Sequence, residues 1–466
     1  MTPRSRPSTV LLSLCFGAGA YSFLQSLVVP ALPTLADELG TTSTGAAWIF
    51  TVFMLTSCVS TPLVGRLGDI LGRKRMLIAM LSSVLAGSLM CAFAGALPLM
   101  LAGRALQGLG GAIVPLAFGV IRDVVPTGVA NGVALVSGSL GLGAALGIVA
   151  AGPILDYLGF HGLFWVPFGA IAVALAAAAI VVPESTERAT GRLRWGAAAL
   201  FAASLVALLV AVSKAPDWGW HSPQTIVLAS ASVVLAAWWV LAERRADQPL
   251  IATDLVLDGG LRWASLAAFL SGWAMFSGFV LVPQYLQEPI STGYGFGLSV
   301  TASGLYLLPW TVLVAVASGI GGPICKRLGA KWSLAGGALM GFAGFVLLLA
   351  DRSETWELAV ASGVTGFGVG LAFSALPNLV VEGVAHTETA VATGVNLIMR
   401  NIGGLIGTQV ALTLVAGTAA ADGTASESGY EVAFAVSAVA LAVTLAAAVA
   451  APGRSTASIP LATDTG

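Results

Sequence analysis

Fourteen apolar runs, each long enough to cross a bilayer, constrain this chain more than any other feature. They fall at 10–33, 46–66, 76–96, 98–121, 130–152, 161–182, 196–213, 224–242, 263–286, 299–321, 332–350, 356–381, 391–418 and 431–452. A hydrocarbon core of about 30 Å takes roughly 20 residues of helix to cross. Lipid offers the backbone no hydrogen-bond partner, so runs of this length are helices that satisfy their own polar groups. Barrel strands are short and alternating, and the runs do not alternate. Composition closes the soluble alternative, because only 9% of residues are charged, against about 25% in soluble domains. The expected class is an all-α polytopic membrane protein whose main partner is the lipid bilayer.

The first run follows Arg4 and Arg6, as a signal peptide would. It is too long for a signal core, lacks a small-x-small cleavage site, and a second run follows at once. It is therefore read as span 1. Basic residues collect on the cytoplasmic side of membrane proteins. With the N-terminus inside, the outer loops hold only Lys214 and Arg352, while Arg104 and Arg400 lie within spans. The rest of the 21 basic residues then fall on the cytoplasmic side. A missed or extra span would scramble that division. A multi-pass protein of the cell membrane with both termini cytoplasmic is the expectation.

Several function classes drop out. A formal net charge of -1 gives nucleic acid nothing to bind. Cys15, Cys58, Cys91 and Cys325 show no CxxC spacing, and His161, His221 and His386 form no ligand set, so neither metal nor cofactor is expected. Clustered carboxylates or a nucleophile–base pair, as an intramembrane enzyme needs, are not visible. The P-loop pattern GxxxxGK[ST] is absent, which disfavours ATP-driven pumping.

The chain also repeats itself. Residues 129–147, VANGVALVSGSLGLGAALG, match 391–409, VATGVNLIMRNIGGLIGTQ, without gaps. The loops GRLGDILGRKR (65–75) and GPICKRLGAK (322–331) each carry two glycines seven residues apart. These matches set span 3 against span 11 and span 5 against span 13. The chain then divides into an N-terminal tail (1–9), a six-helix half (10–185), a linker with two extra helices (186–258), a second six-helix half (259–452) and a C-terminal tail (453–466). Repeated halves place a substrate site between them near the midplane.

The loop between spans 2 and 3 reads Gly65-Arg-Leu-Gly-Asp69-Ile-Leu-Gly72-Arg73-Lys74-Arg75. Glycines allow the tight turn, and Asp69 can pair with a nearby arginine, a cluster suited to latching one conformation. A plain positive-inside loop explains its basic residues but not Asp69. The pattern resembles the signature loop of the major facilitator superfamily, with Ile70 where a basic residue is usual. In span 4, Arg104, Gln107, Gly108 and Gly111 share one helical face and resemble that superfamily's second motif. An intramembrane arginine faces protein or a wet cavity by default; at this depth Arg104 could instead snorkel to the headgroups. Span 5 carries Gly143, Gly147 and Gly152, a partial likeness to the antiporter motif with Ile148 for the proline and Ala151 for a glycine. Small residues at this spacing also serve close helix packing whatever the direction of transport.

The whole chain resembles the fourteen-span drug:proton antiporters of the superfamily, on the extra pair at 196–242, VVPALP (28–33), VPES (182–185) and GYGFGLSVTASGLYLLP (293–309). The resemblance implies two six-helix halves with an inserted pair, and export of varied drugs or antibiotics coupled to protons. One departure bears on the coupling. Leu24 stands where the family pattern has an intramembrane Asp, and the acidic residues all fall in loops or near span ends.

Candidate cavity residues follow from helical spacing. Asn396, Arg400, Gly403 and Gly407 share a face of span 13, with Arg400 roughly 14 Å deep at 1.5 Å per residue. Such a residue is either a substrate or switching group, or is bonded to helix-terminal carbonyls. Tyr21 and Gln25 in span 1, Trp273, Ser277 and Gln284 in span 9, and Ser374 and Asn378 in span 12 either line the cavity or join helices. Two embedded arginines without embedded carboxylates favour neutral or anionic amphipathic substrates over cations. The reading is a monomeric transporter, not an enzyme, that exports such compounds. The alternative is an importer or symporter on the same fold, since fold does not set direction.

Overall fold

Apolar runs that close their own hydrogen bonds give helices, and among the described residues no strand occurs. The computed structural model describes residues 7–125, 129–184, 194–246, 249, 259–350, 352–383, 389–418 and 425–450. Both tails beyond 7 and 450, Ser185, Arg188, Arg192 and His386 lie outside the described residues.

Thirteen described helices are long and apolar enough to cross a membrane. One of them, Val129–Val181, has 53 residues, about 80 Å at 1.5 Å per residue. Gly159 interrupts it with φ 65° and ψ -175°, a conformation open to glycine. It is therefore two spans, 129–158 and 160–181, and the crossings number fourteen. Spans 1 to 4 are Pro7–Leu27, Ser43–Leu71, Arg73–Ala92 and Leu97–Val124. Spans 7 to 10 are Trp195–Trp218, Pro223–Arg244, Gly259–Gln287 and Val300–Leu328. Spans 11 to 14 are Ala330–Ala350, Thr355–Gly383, Thr389–Ala416 and Glu427–Ala450. An even count returns the chain to the side from which it set out, here called the terminal side, opposite the far side.

Span 1 differs from its apolar run of 10–33. The helix begins at Pro7 and ends at Leu27, because Pro30 lacks an N–H and restricts Val29. A turn and the short helix Leu32–Glu38 follow.

The duplication is visible in the packing. Span 1 packs on span 5 as span 9 packs on span 13, and span 3 meets span 6 as span 11 meets span 14. The detail is closer still. A Cβ on Gly143 or Gly147 would strike the carbonyls of Gly19 and Phe23 on span 1. One on Gly403 or Gly407 would strike Phe269 and Trp273 on span 9. The two seams are one glycine-lined contact used twice, and small residues there let the backbones approach. The turns repeat as well: Gly72 has φ 111° and Gly329 φ 89°. One correction follows. The gapless sequence match pairs Gly141 with Gly403, whereas the packing pairs Gly143 with Gly403, since Gly141 meets open space.

Span 7 lies against span 2 and span 13, where the halves meet, and Trp48 Nε1 donates to Ser213 Oγ at 2.8 Å. Span 8 packs on span 7 and leaves Val227, Val233, Val234 and Trp238 exposed, an apolar surface suited to lipid.

Candidate functional site

Positive φ at Gly72 turns span 2 into span 3 and sets Arg73 at the start of the new helix. Arg73 donates to Asp69 Oδ1 from Nη2 at 2.9 Å and Nε at 3.2 Å. It also donates to Asp123 and to the Gly119 carbonyl at 3.1 Å. One guanidinium thus ties the terminal-side ends of spans 2, 3 and 4. Arg75 pairs with Glu184 at 3.4 Å. Lys74 joins no ion pair within 4.0 Å among the described residues, and Gly65 faces open space. The equivalent loop of the second half has Lys326 where the first has Asp69, so the carboxylate this latch needs is replaced by a cation.

Deeper in the first half, Arg104 is wholly buried and does not snorkel. Its Nε donates to the Ile49 carbonyl at 3.0 Å and its Nη1 to Gln107 Oε1 at 2.8 Å. Gln107 passes the chain on to Ser88 Oγ at 3.0 Å. The guanidinium lies over Phe53, 4.3 Å from the ring centre, and Tyr21 stacks on the same ring. Arg104 therefore binds spans 2, 3 and 4 together. Gly108 and Gly111 bring span 4 against Phe53, Thr56 and Ser57 of span 2. Gln25 reaches only Met54 Sδ, at 3.4 Å.

In the second half the polar residues part company. Asn396 donates to the Ala264 carbonyl of span 9 at 3.2 Å, and Trp273 packs on Gly407. Ser277 is buried at 2.8 Å from Ser437 of span 14. These three sit at helix seams. Ser374 bonds within its own helix, and Asn378 is exposed and donates to the Ser374 carbonyl at 2.6 Å. Gln284 is half-buried. Arg400 leaves the face it shares by spacing with Asn396, Gly403 and Gly407: its side chain lies over Phe373 of span 12, 4.3 Å from the ring centre. It is half-buried and makes no hydrogen bond or ion pair with any described residue.

Three hydrogen bonds between described residues join the halves, and sequence reasoning found none of them. Thr51 donates to Gln409 at 2.7 Å, Gln287 to the Pro30 carbonyl at 2.9 Å, and Thr301 to Asp156 at 3.0 Å. All lie toward the far side. Gly152 joins them, since its Cα faces Thr301 closely enough to exclude a side chain. Polar side chains in apolar runs were the available signal, but their partners are 145 to 358 residues away.

A second far-side cluster closes over spans 9, 11 and 14. Arg352 donates to Glu427 at 2.9 Å and Glu431 at 2.8 Å, and Tyr430 donates to Glu288 at 2.8 Å. Burial works against the Arg352 charge, but bonds to Glu427, Tyr285 and Glu431 hold it above its ordinary pKa. Burial raises the Glu288 carboxyl, partly offset by the Tyr430 hydroxyl.

The profile of the Major Facilitator Superfamily matches residues 14–408 and again 264–460. The chain belongs to the major facilitator superfamily. Among its superfamily relatives, it is 28% identical over 409 residues to the multidrug transporter protein MdtP of Bacillus subtilis, covering 86% of this chain and 74% of that one. It is 27% identical over 424 residues to the tetracenomycin C resistance and export protein of Streptomyces glaucescens, covering 89% and 77%. An MFS-type transporter of Mycobacterium tuberculosis is 30% identical over 420 residues. This chain spans 58% of that relative's length. The crystal structure of the human organic anion transporter MFSD10 (TETRAN) shares the superfamily fold, with TM-score 0.66 at 17% identity over 96% of this chain and 100% of that one.

Proposed function

We propose that the protein is a secondary active exporter of small amphipathic compounds, working by alternating access between its halves and driven by proton influx. The observation that carries the reading is where the halves touch. Thr51–Gln409, Gln287–Pro30 and Thr301–Asp156 all lie toward the far side. With both termini in the cytoplasm, as the basic residues favour, the far side is extracellular. This conformation is then sealed outward, and an exporter collects its cargo in that state.

The relative described as a tetracenomycin C resistance and export protein supports the direction, and it and the multidrug transporter protein support the cargo class. Proton coupling is supported by the likeness to drug:proton antiporters, and the missing P-loop favours an ion gradient as the driving force. The carboxylates of the described residues stand at span ends or in connections, so a coupling group in the membrane centre is not part of this reading.

Everted membrane vesicles with an acid interior test it. A transported antibiotic is expected to accumulate inside and to collapse the pH gradient as protons leave. Substrate and protons moving the same way would instead identify a symporter.

A further inference from the structure

Within the spans, Arg400 is a charged group from which no described residue accepts a hydrogen bond. It stands near the middle of span 13, where an unpaired charge is expensive. Arg104 shows how this protein settles such a charge when it is structural: a backbone carbonyl, a glutamine and full burial. Arg400 has none of these. No carboxylate, carbonyl or hydroxyl of the described residues accepts from it, and it is only half-buried. With no acceptor among the described residues, its edge is left to water and whatever enters with water.

The geometry narrows what that is. One face of the guanidinium is taken by the Phe373 ring, which leaves the N–H donors along its edge unused. That edge is a planar fork matched to carboxylate, sulfonate or phosphate oxygens. One helical turn along span 13, Gly404 meets the half-buried ring of Phe276 from span 9, an apolar surface. The second half is also free to carry this charge. Repeated packing sets the Arg400 carbonyl against Gly272, as the Leu140 carbonyl accepts from Ser22 in the first half. A leucine fills the equivalent place there, so the scaffold does not require an arginine.

We propose that Arg400, backed by Phe373, recognises the anionic group of the transported molecule, making the cargo an amphipathic anion with an apolar or aromatic body. The proposal rests on the export reading and names its substrate class.

The test uses a matched pair, pyrenebutyrate and its uncharged amide, on full-length protein in nanodiscs and in everted vesicles. Wild type is expected to bind the acid roughly ten- to hundredfold more tightly than the amide, the range of a charge-assisted hydrogen bond. Arg400→Gln removes that preference while leaving amide binding in place. Arg400→Lys keeps part of it, and Phe373→Leu weakens both compounds alike. Equal loss of both in Arg400→Gln, with Arg400→Lys restoring both, would assign Arg400 to helix packing or switching and overturn the proposal. An unchanged preference in Arg400→Gln would overturn it too. Uptake of both compounds without charge preference would sink the anion assignment and leave export standing. Charge-selective binding with no uptake of either would do the reverse.

Discussion

The two glycine seams, span 1 on span 5 and span 9 on span 13, are built alike and loaded differently. Both bring a helix within backbone contact through glycines four residues apart. The first seam carries Leu140 where the second carries Arg400. The first half keeps its intramembrane arginine elsewhere, in span 4, locked to Ile49 and Gln107. Duplication thus supplies packing in two copies. Chemistry enters at places the packing does not need.

The comparison breaks most sharply at the two arginines. Arg104→Leu strips the Ile49 carbonyl and Gln107 of their donor, at about 1–3 kcal/mol for each buried group left unmet. Arg400→Leu strips nothing and removes a half-buried charge, so its thermal midpoint is expected to hold or rise. Thermal unfolding of the purified proteins checks this, and equal destabilisation would mean that Arg400 is structural after all.

Next come the seams themselves. Gly143→Val and Gly403→Val each force a side chain into a facing carbonyl, and overpacking of this kind typically costs about 1–3 kcal/mol. The two losses are expected to agree closely. A tolerant Gly143 beside an intolerant Gly403 would show that only one seam is held tightly.

How much of this was legible beforehand depends on whether the signal is local. Span number, the glycine-rich loop at 65–75 and both arginines stand out in the sequence because length, charge and glycine spacing are properties of one stretch of chain. Periodicity places Asn396 and Arg400 on one face, yet it does not say which neighbour covers that face. Asn396 meets span 9, whereas Arg400 turns to span 12. Ser277 read as a cavity candidate and lies instead against Ser437. Thr51 and Gln409 are separated by most of the chain, and no local pattern announces such a pair. The register of the repeat was two residues off because apolar residues match one another readily, while packing depends on where the glycines touch.

A smaller effect sharpens the inter-half contrast. Gln409→Leu removes the acceptor of Thr51, a loss of about 1 kcal/mol for one hydrogen bond. That shifts a two-state balance roughly fivefold toward the far-side-open form. Labelling of a cysteine placed near Thr51, in an otherwise cysteine-free protein that keeps Thr51, is expected to speed up by that factor. The Arg73 latch is formed in this same conformation, so weakening it with Asp69→Asn is predicted to move the balance the same way.

The smallest effect concerns pH and sets the far-side cap apart from the terminal-side latch. Glu288 is bonded to Tyr430 and lies near Tyr294, around which Tyr285 and Glu427 also gather, with Arg352 donating to Tyr285. Burial raises its carboxyl above the ordinary 4.5, so the folded protein holds that proton to higher pH than the unfolded chain does. Its contribution to stability is therefore complete below 4.5 and is lost as pH rises through the raised value. Glu288→Gln cannot lose a proton there. The variant's thermal midpoint is expected to gain on wild type between acid and neutral pH, by less than about 1 kcal/mol after solvent screening. A gap that stays constant with pH would mean that the Glu288 carboxylate is already as well placed charged as neutral, with the cap indifferent to protons.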